Sequence, residues 1–157
     1  MAALKERVYA RVRHARSQRG AELIEFALVL PLLLLLVLGI VDFGFLFQRL
    51  EVVTNAAREG ARIAVLGSMY STADVQNRVT DYLVEGGVPV TPGNPVINVT
   101  SPTLAIPGAS SISVKTVEVR YNYSYMFLSG IASFFGGSFS SVPLTGVSTM
   151  RAEGGGS

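Results

Sequence analysis

Few side chains in this 157-residue chain are of types that do covalent or metal chemistry. There is no cysteine, which excludes disulfides, thiolate zinc sites and thiol nucleophiles. The one histidine, His14, lies among arginines near the N-terminus, so residues 48–153 hold neither a Ser-His-Asp triad nor an imidazole metal ligand. No phosphate-binding or dinucleotide glycine pattern occurs, and Gly136-Gly137 reads as a loop. Asp74, Asp81 and Glu85 share a helical stretch with Arg78, a mixture that reads as a solvated face rather than an acid/base pair. Tyr70, Tyr82, Tyr121, Tyr123 and Tyr125 could form a sugar-binding surface, but the last three alternate along one strand face, which favours core or sheet packing. The expectation is a chain that is not an enzyme, with no catalytic residue, no cofactor and no metal.

The charge that calls for a role is Glu25. It opens the run FALVLPLLLLLVLGIV, sixteen uncharged residues that end at Asp42. As a helix that run covers roughly 24 Å, and adding Phe43 to Phe47 brings it past a ~30 Å hydrocarbon core, with Asp42 inside the outer boundary. Residues 21–47 are therefore expected to form one transmembrane helix. A carboxylate at its start is costly unless it is paired or protonated. The surrounding sequence is Arg19-Gly20-Ala21-Glu22-Leu23-Ile24-Glu25-Phe26. A cut after Gly20 would leave a free ammonium on Ala21, and the ammonium of a neighbouring subunit could neutralise Glu25 and set the stagger between packed helices. The plainer alternative is that Glu25 marks the inner membrane boundary. Pro31 removes one helix donor and crowds the carbonyl of Ala27, either as a kink in a lone anchor or as a feature of packing with other subunits.

The elements around this segment are set by charge and periodicity. Residues 1–20 carry a net +5 and the remainder −3. This places the N-terminus in the cytoplasm and the C-terminal domain outside, and it fits orientation in a membrane rather than nucleic-acid binding. The bulky VDFGFLFQRL after the apolar run offers no small-x-small site of the kind a cleaved secretory signal needs. Helical spacing continues through Leu46, Leu50, Val53, Ala57, Ala61 and Ala64, so one helix is expected from about Ala21 to Leu66, ended by Gly67-Ser68. Ala57, Gly60, Ala61 and Ala64 make a small-residue stripe that admits a sheet or a partner helix closely. A second helix is expected over Thr72–Glu85, capped by Ser71 or Thr72, with Val75, Val79, Tyr82 and Leu83 as its apolar face. VPVTPGNP (88–95) is a turn-rich connector.

From Val96 the composition becomes that of strands. Val96 to Val99 starts one, and Pro102 and Pro107 limit regular structure after it. The segment 113–127 is the clearest strand, although Ile112 and Val114 are out of phase with Val117, Val119 and Tyr121, which predicts a bulge or turn near Lys115-Thr116. A Gly/Phe-rich loop or short helix (128–139) precedes a last strand over Val142 to Met150, interrupted near Gly146. There is no internal repeat. The fold class is α+β: a long N-terminal helix whose outer part packs on a small antiparallel sheet. The domains are a basic leader (1–20), the membrane helix (21–47), an extracytoplasmic domain (48–153) and a terminal GGGS (154–157) that reads as a linker scar.

The runs RGAELIEFALVLPLLLLLVLGIVDFG (19–44) and TNAAREGAR (54–62), with a strand-rich tail ending STMRAE (148–153), resemble the type IV pilin class and, more closely, the TadE-like family of tight-adherence pilus assembly systems. The resemblance implies a minor pilin or pseudopilin with a pilin-like fold. It also implies a prepilin peptidase cutting between Gly20 and Ala21 on the cytoplasmic side, and Glu25 acting in assembly. The partners it implies are other pilins of the same system and the lipid bilayer, with a homo-oligomer allowed. Ala21 departs from the Phe common at the mature start of many type IV pilins, and Phe45 stands where a basic residue is more usual. The competing reading is a permanently anchored extracytoplasmic binding domain that is never processed.

Overall fold

A computed structural model of the chain describes residues 2–105, 107–108, 111–134, 136–138 and 141–152, and among these the side chains of 2–19, 68 and 134 are left undescribed. His14, the basic side chains of the leader and the terminal GGGS lie outside the described set. Contacts divide the chain into two units, Met1–Val41 and Asp42–Ser157.

The first unit is helical over its described residues. Helix α1 (Ala2–Ala64) starts well before the expected Ala21, running through residues 2–20, and it carries Pro31 without a break. Its apolar side chains from Leu23 to Val41 are almost all exposed, and the segment's best window has a mean hydropathy of 2.8. By length and composition this stretch can cross a membrane.

In the second unit α1 continues to Ala64, two residues short of the expected end, and Gly67 then adopts a left-handed φ of +69° to turn the chain. A 3-10 turn (Gly67–Met69) leads to α2 (Thr72–Glu85). A local device starts α2: the Ser71 hydroxyl accepts from the Asp74 N–H at 3.2 Å, and the Asp74 carboxylate accepts from the Ser71 N–H at 2.8 Å. Val75, Val79 and Leu83, one per turn, are buried, and Gly86 and Gly87 close the helix. A connector with a cis Asn94–Pro95 bond enters the sheet.

The sheet has β3 (Ile112–Tyr123) at its centre. β1 (Val96–Thr100) and β2 (Thr103–Leu104) pair antiparallel along one edge of β3, and β4 (Val142–Arg151) along the other. β1 and β2 keep a single register, Val99 opposite Val117 and Thr103 opposite Ser113, so Pro102 interrupts the ladder without shifting it. A short helix α3 (Leu128–Phe134) joins β3 to β4.

Two expectations for the sheet are corrected. Neither a bulge nor a turn occurs at Lys115-Thr116: pairing with β4 runs unbroken from Val114 opposite Arg151 to Tyr123 opposite Val142. The phase change arises because Val114 is buried outside the main core cluster, whereas Val117, Val119, Tyr121 and Tyr123 belong to it. Nor is β4 interrupted at Gly146, which pairs with Val119 on the buried face. A Cβ on Gly146 would stand 2.6 Å from the Val53 carbonyl oxygen and 2.9 Å from Thr54 Cα, so the strand needs a glycine where the backbone of α1 crosses it. The core joins Val53, Ala57 and Ala61 of α1, Val75, Val79 and Leu83 of α2, and Val117, Val119 and Leu144 of the sheet.

Candidate functional site

The residues expected to take part in processing lie on the first unit's helix. Gly20, Ala21 and Glu25 are all exposed, and a Cβ built on Gly20 meets nothing within 4 Å. Among the described residues Glu25 has no ion-pair partner. Pro31 is exposed as well. These positions are arranged along one accessible helix, not gathered into a pocket.

Asp42 is different. It is fully buried, and its carboxylate collects backbone donors from a segment about 85 residues away in sequence. The Met126 N–H donates to Oδ1 at 3.0 Å, the Phe127 N–H to Oδ2 at 3.0 Å, and the Leu128 N–H to Oδ2 at 2.7 Å. Leu128 is the first residue of α3, so Asp42 caps that helix from a distance, satisfying amide donors the helix itself cannot. The Tyr123 hydroxyl donates to the Asp42 carbonyl oxygen at 3.4 Å. Burial, and then the negative charge of Asp42, push the Tyr123 phenol above its ordinary range. An acidic residue at the end of a lipid-length apolar run is a legible anomaly; which donors it serves is not, because they lie across the whole domain.

The small-residue stripe faces the chain's own core. Ala57 and Ala61 are fully buried, Ala64 nearly so, and a Cβ on Gly60 would meet the Val79 Cγ2 methyl at 2.5 Å and Val117 Cγ1 at 3.1 Å. Glu59, beside it, ties α1 to α2. It pairs with Arg62 at 2.7 Å on its own helix and with Arg78 of α2 at 3.3 Å. Hydrogen bonding from Arg62, reinforced by Arg78 against the opposing effect of burial, holds the Glu59 carboxyl at about 2, well below its usual 4.5.

A cavity of about 300 Å³ opens in the second unit, with Phe45 and Arg49 of α1 on one side and Tyr121 and Tyr123 of β3 on another. The Arg49 guanidinium donates to the Gly87 carbonyl oxygen, a second tie between α1 and the end of α2. Asn94 donates to the Asn122 carbonyl and accepts from its N–H, fixing the connector against β3. Tyr121 and Tyr123 are buried in the core, in keeping with sheet packing rather than a sugar platform. Among the described residues no cluster of His, Asp and Glu is arranged to hold a metal.

No curated protein and no solved structure matches the chain. A family model does: residues 20–62 match the TadE-like proteins, a stretch that starts at Gly20, carries the exposed apolar helix and ends with TNAAREGAR. Over residues 20–62 this chain is similar to the TadE-like family.

Proposed function

We propose that the chain is a minor pilin or pseudopilin of a tight-adherence pilus, made as a precursor and trimmed after Gly20 by a prepilin peptidase. The observation that carries this reading is the coincidence within one matched stretch, 20–62, of three features: the Gly20-Ala21 junction, Glu25 four residues on, and an exposed helix of lipid-spanning length. Residues 20–41 as a helix cover about 33 Å, which suffices for a ~30 Å core without drawing on Phe43 to Phe47. The protein is then a single-pass component of the cytoplasmic membrane, with its positive N-terminus inside and its α+β domain outside. It gives itself to a filament, or to the platform beneath one, through the apolar helix.

Cleavage and assembly call on different chemistry. The peptidase must fit the backbone before the cut, and Gly20 offers no side chain to obstruct it. Glu25 works later, against the ammonium that cleavage exposes on Ala21 of a neighbouring subunit. An exposed ion pair in water contributes under about 1 kcal/mol, whereas an unpaired charge in lipid is far more costly. The test is N-terminal sequencing of the protein recovered from cells that contain the peptidase. Parent chain should begin at Ala21, Gly20→Val should persist as full-length precursor, and Glu25→Gln should be cut normally yet be missing from sheared pili. Parent chain that keeps its leader points instead to a permanently anchored binding domain.

A further inference from the structure

The segment that Asp42 holds is unusual in composition. From Tyr121 to Met150 there is not one charged residue, although the chain as a whole is 15% charged. Within that stretch Met126 is 64% exposed, and beside the anchoring Asp42 the α1 residues Phe43 and Phe47, one turn apart, are 50% and 64% exposed. Tyr125 packs edge-on against Phe43 with ring centroids 6.4 Å apart, so the exposed aromatics of α1 and the segment after β3 make one patch.

Several backbone donors of this segment find acceptors within the protein. Asp42 takes the amides of residues 126–128, Ile131 N–H donates to the Phe127 carbonyl at 3.1 Å, and Gly137 N–H donates to the Ala132 carbonyl at 2.8 Å. Two hydroxyls bond to the backbone of the same segment: Ser129 donates to the Tyr125 carbonyl and Ser133 to that of Gly130, both at 2.7 Å. Met126 exposed, Phe127, Leu128 and Ile131 half-buried beside it, and these donors already paired make an arrangement that contact with lipid allows, because the bilayer supplies no replacement hydrogen bonds. Tyr and Phe collected beside the end of an apolar span also match the aromatic belts found at membrane–water boundaries.

We infer that residues 125–134 form a second, interfacial membrane contact, with Met126 and the start of α3 seated in the headgroup region of the same bilayer that the apolar helix spans. The occupant of the patch is lipid. This rests on the anchoring reading given above, and Asp42 sets the depth by fixing the segment to the turn of α1 just after Val41. Interfacial elements of this kind sit about 5–10 Å into the headgroup and acyl boundary.

The chain has no cysteine, so a single introduced one takes a single label. Full-length Met126→Cys, Leu33→Cys and Met69→Cys proteins, each carrying an environment-sensitive fluorophore, are reconstituted into phosphatidylcholine vesicles with nitroxide-bearing lipids. Leu33 lies in the apolar run, and Met69 is exposed at the far end of α1. The Met126 label should lose emission to nitroxides placed shallow on the chain, the Leu33 label to deep ones, and the Met69 label to neither. Quenching at Leu33 with none at Met126 overturns the interfacial contact and leaves the anchor standing. A Met126 label shielded from aqueous iodide but untouched by nitroxide lipids also overturns it, since protein then covers the patch. No quenching at Leu33 removes the anchor and this inference with it.

Discussion

Replacing Gly146 by alanine adds one methyl group at the tightest place between α1 and the sheet. The new Cβ would lie 2.6 Å from the Val53 carbonyl oxygen and 2.9 Å from both Val53 C and Thr54 Cα, where ordinary contacts begin at 3.4 Å. All three neighbours are helix backbone, so no rotamer change relieves the clash; α1 must lift by about 0.8 Å, the difference between 3.4 and 2.6 Å. A gap of that size forfeits a quarter to a half of each dispersion contact across the interface. Overpacking typically costs 1–3 kcal/mol, and the rigidity here puts the expected loss at about 3 kcal/mol, a fall in Tm of roughly 10 °C or more. The assay is a thermal melt of the full chain in detergent, followed by near-ultraviolet circular dichroism of the tyrosines, since far-ultraviolet signal is dominated by the apolar helix. Gly60→Ala is the comparison. Its nearest obstacle is the Val79 Cγ2 methyl, so Val79→Ala in the same chain should restore part of the loss. Val53→Ala should restore nothing to Gly146→Ala, because the obstruction is main chain. An unchanged melt for Gly146→Ala, or rescue by Val53→Ala, would refute the reasoning.

Asp42→Ala removes the acceptor for three amides, at about 1–3 kcal/mol for each donor left buried without a partner; amide exchange at Met126, Phe127 and Leu128 should accelerate far more than exchange in β1, and equal acceleration everywhere would discount the anchor. Glu59 has a folded value near 2 against 4.5 when unfolded, so its stabilisation is complete above about pH 4.5 and lost as pH falls towards 2. Arg62 and Arg78 are substantially exposed, which limits that contribution to about 1 kcal/mol. Glu59→Gln should therefore melt below the parent at pH 6 and approach it near pH 2.5; a constant gap between the two melts would show that the carboxylate charge is not responsible. Asp74, also held below its ordinary value by the hydrogen bonds of Ser71, titrates in the same direction in both proteins and cancels.

Helix α2 is legible in the sequence because everything that makes it is local: a cap three residues from its partner, apolar residues at turn spacing and a Gly-Gly stop. The alternation from Val117 to Tyr123 is legible for the same reason, one face of one strand being buried. The expected bulge and the expected break in β4 fail where tertiary contacts override a local rule. A glycine within a strand weakens it in isolation, yet at Gly146 the passing helix backbone leaves no room for anything else. The phase change at Val114 reflects burial apart from the main cluster, not an extra residue in the ladder. Asp42 lies between these cases. Its oddity in an apolar run is visible, whereas its three donors are fixed only when β3 returns the chain to α1. The Gly20, Ala21 and Glu25 pattern is visible from spacing alone, and the role proposed for it involves molecules outside this chain.

The two glycine seats on α1 have a mechanical consequence. Gly146 presses against the helix at Val53 and Thr54, while Gly60 of the helix presses against Val79 and Val117, a separation of two turns along one axis. Each seat resists sliding, since a shift of one residue would bring a side chain into a space that holds none. Tension along α1 from residue 42 on is therefore delivered to the sheet and α2 at two fixed points rather than dissipated by slippage.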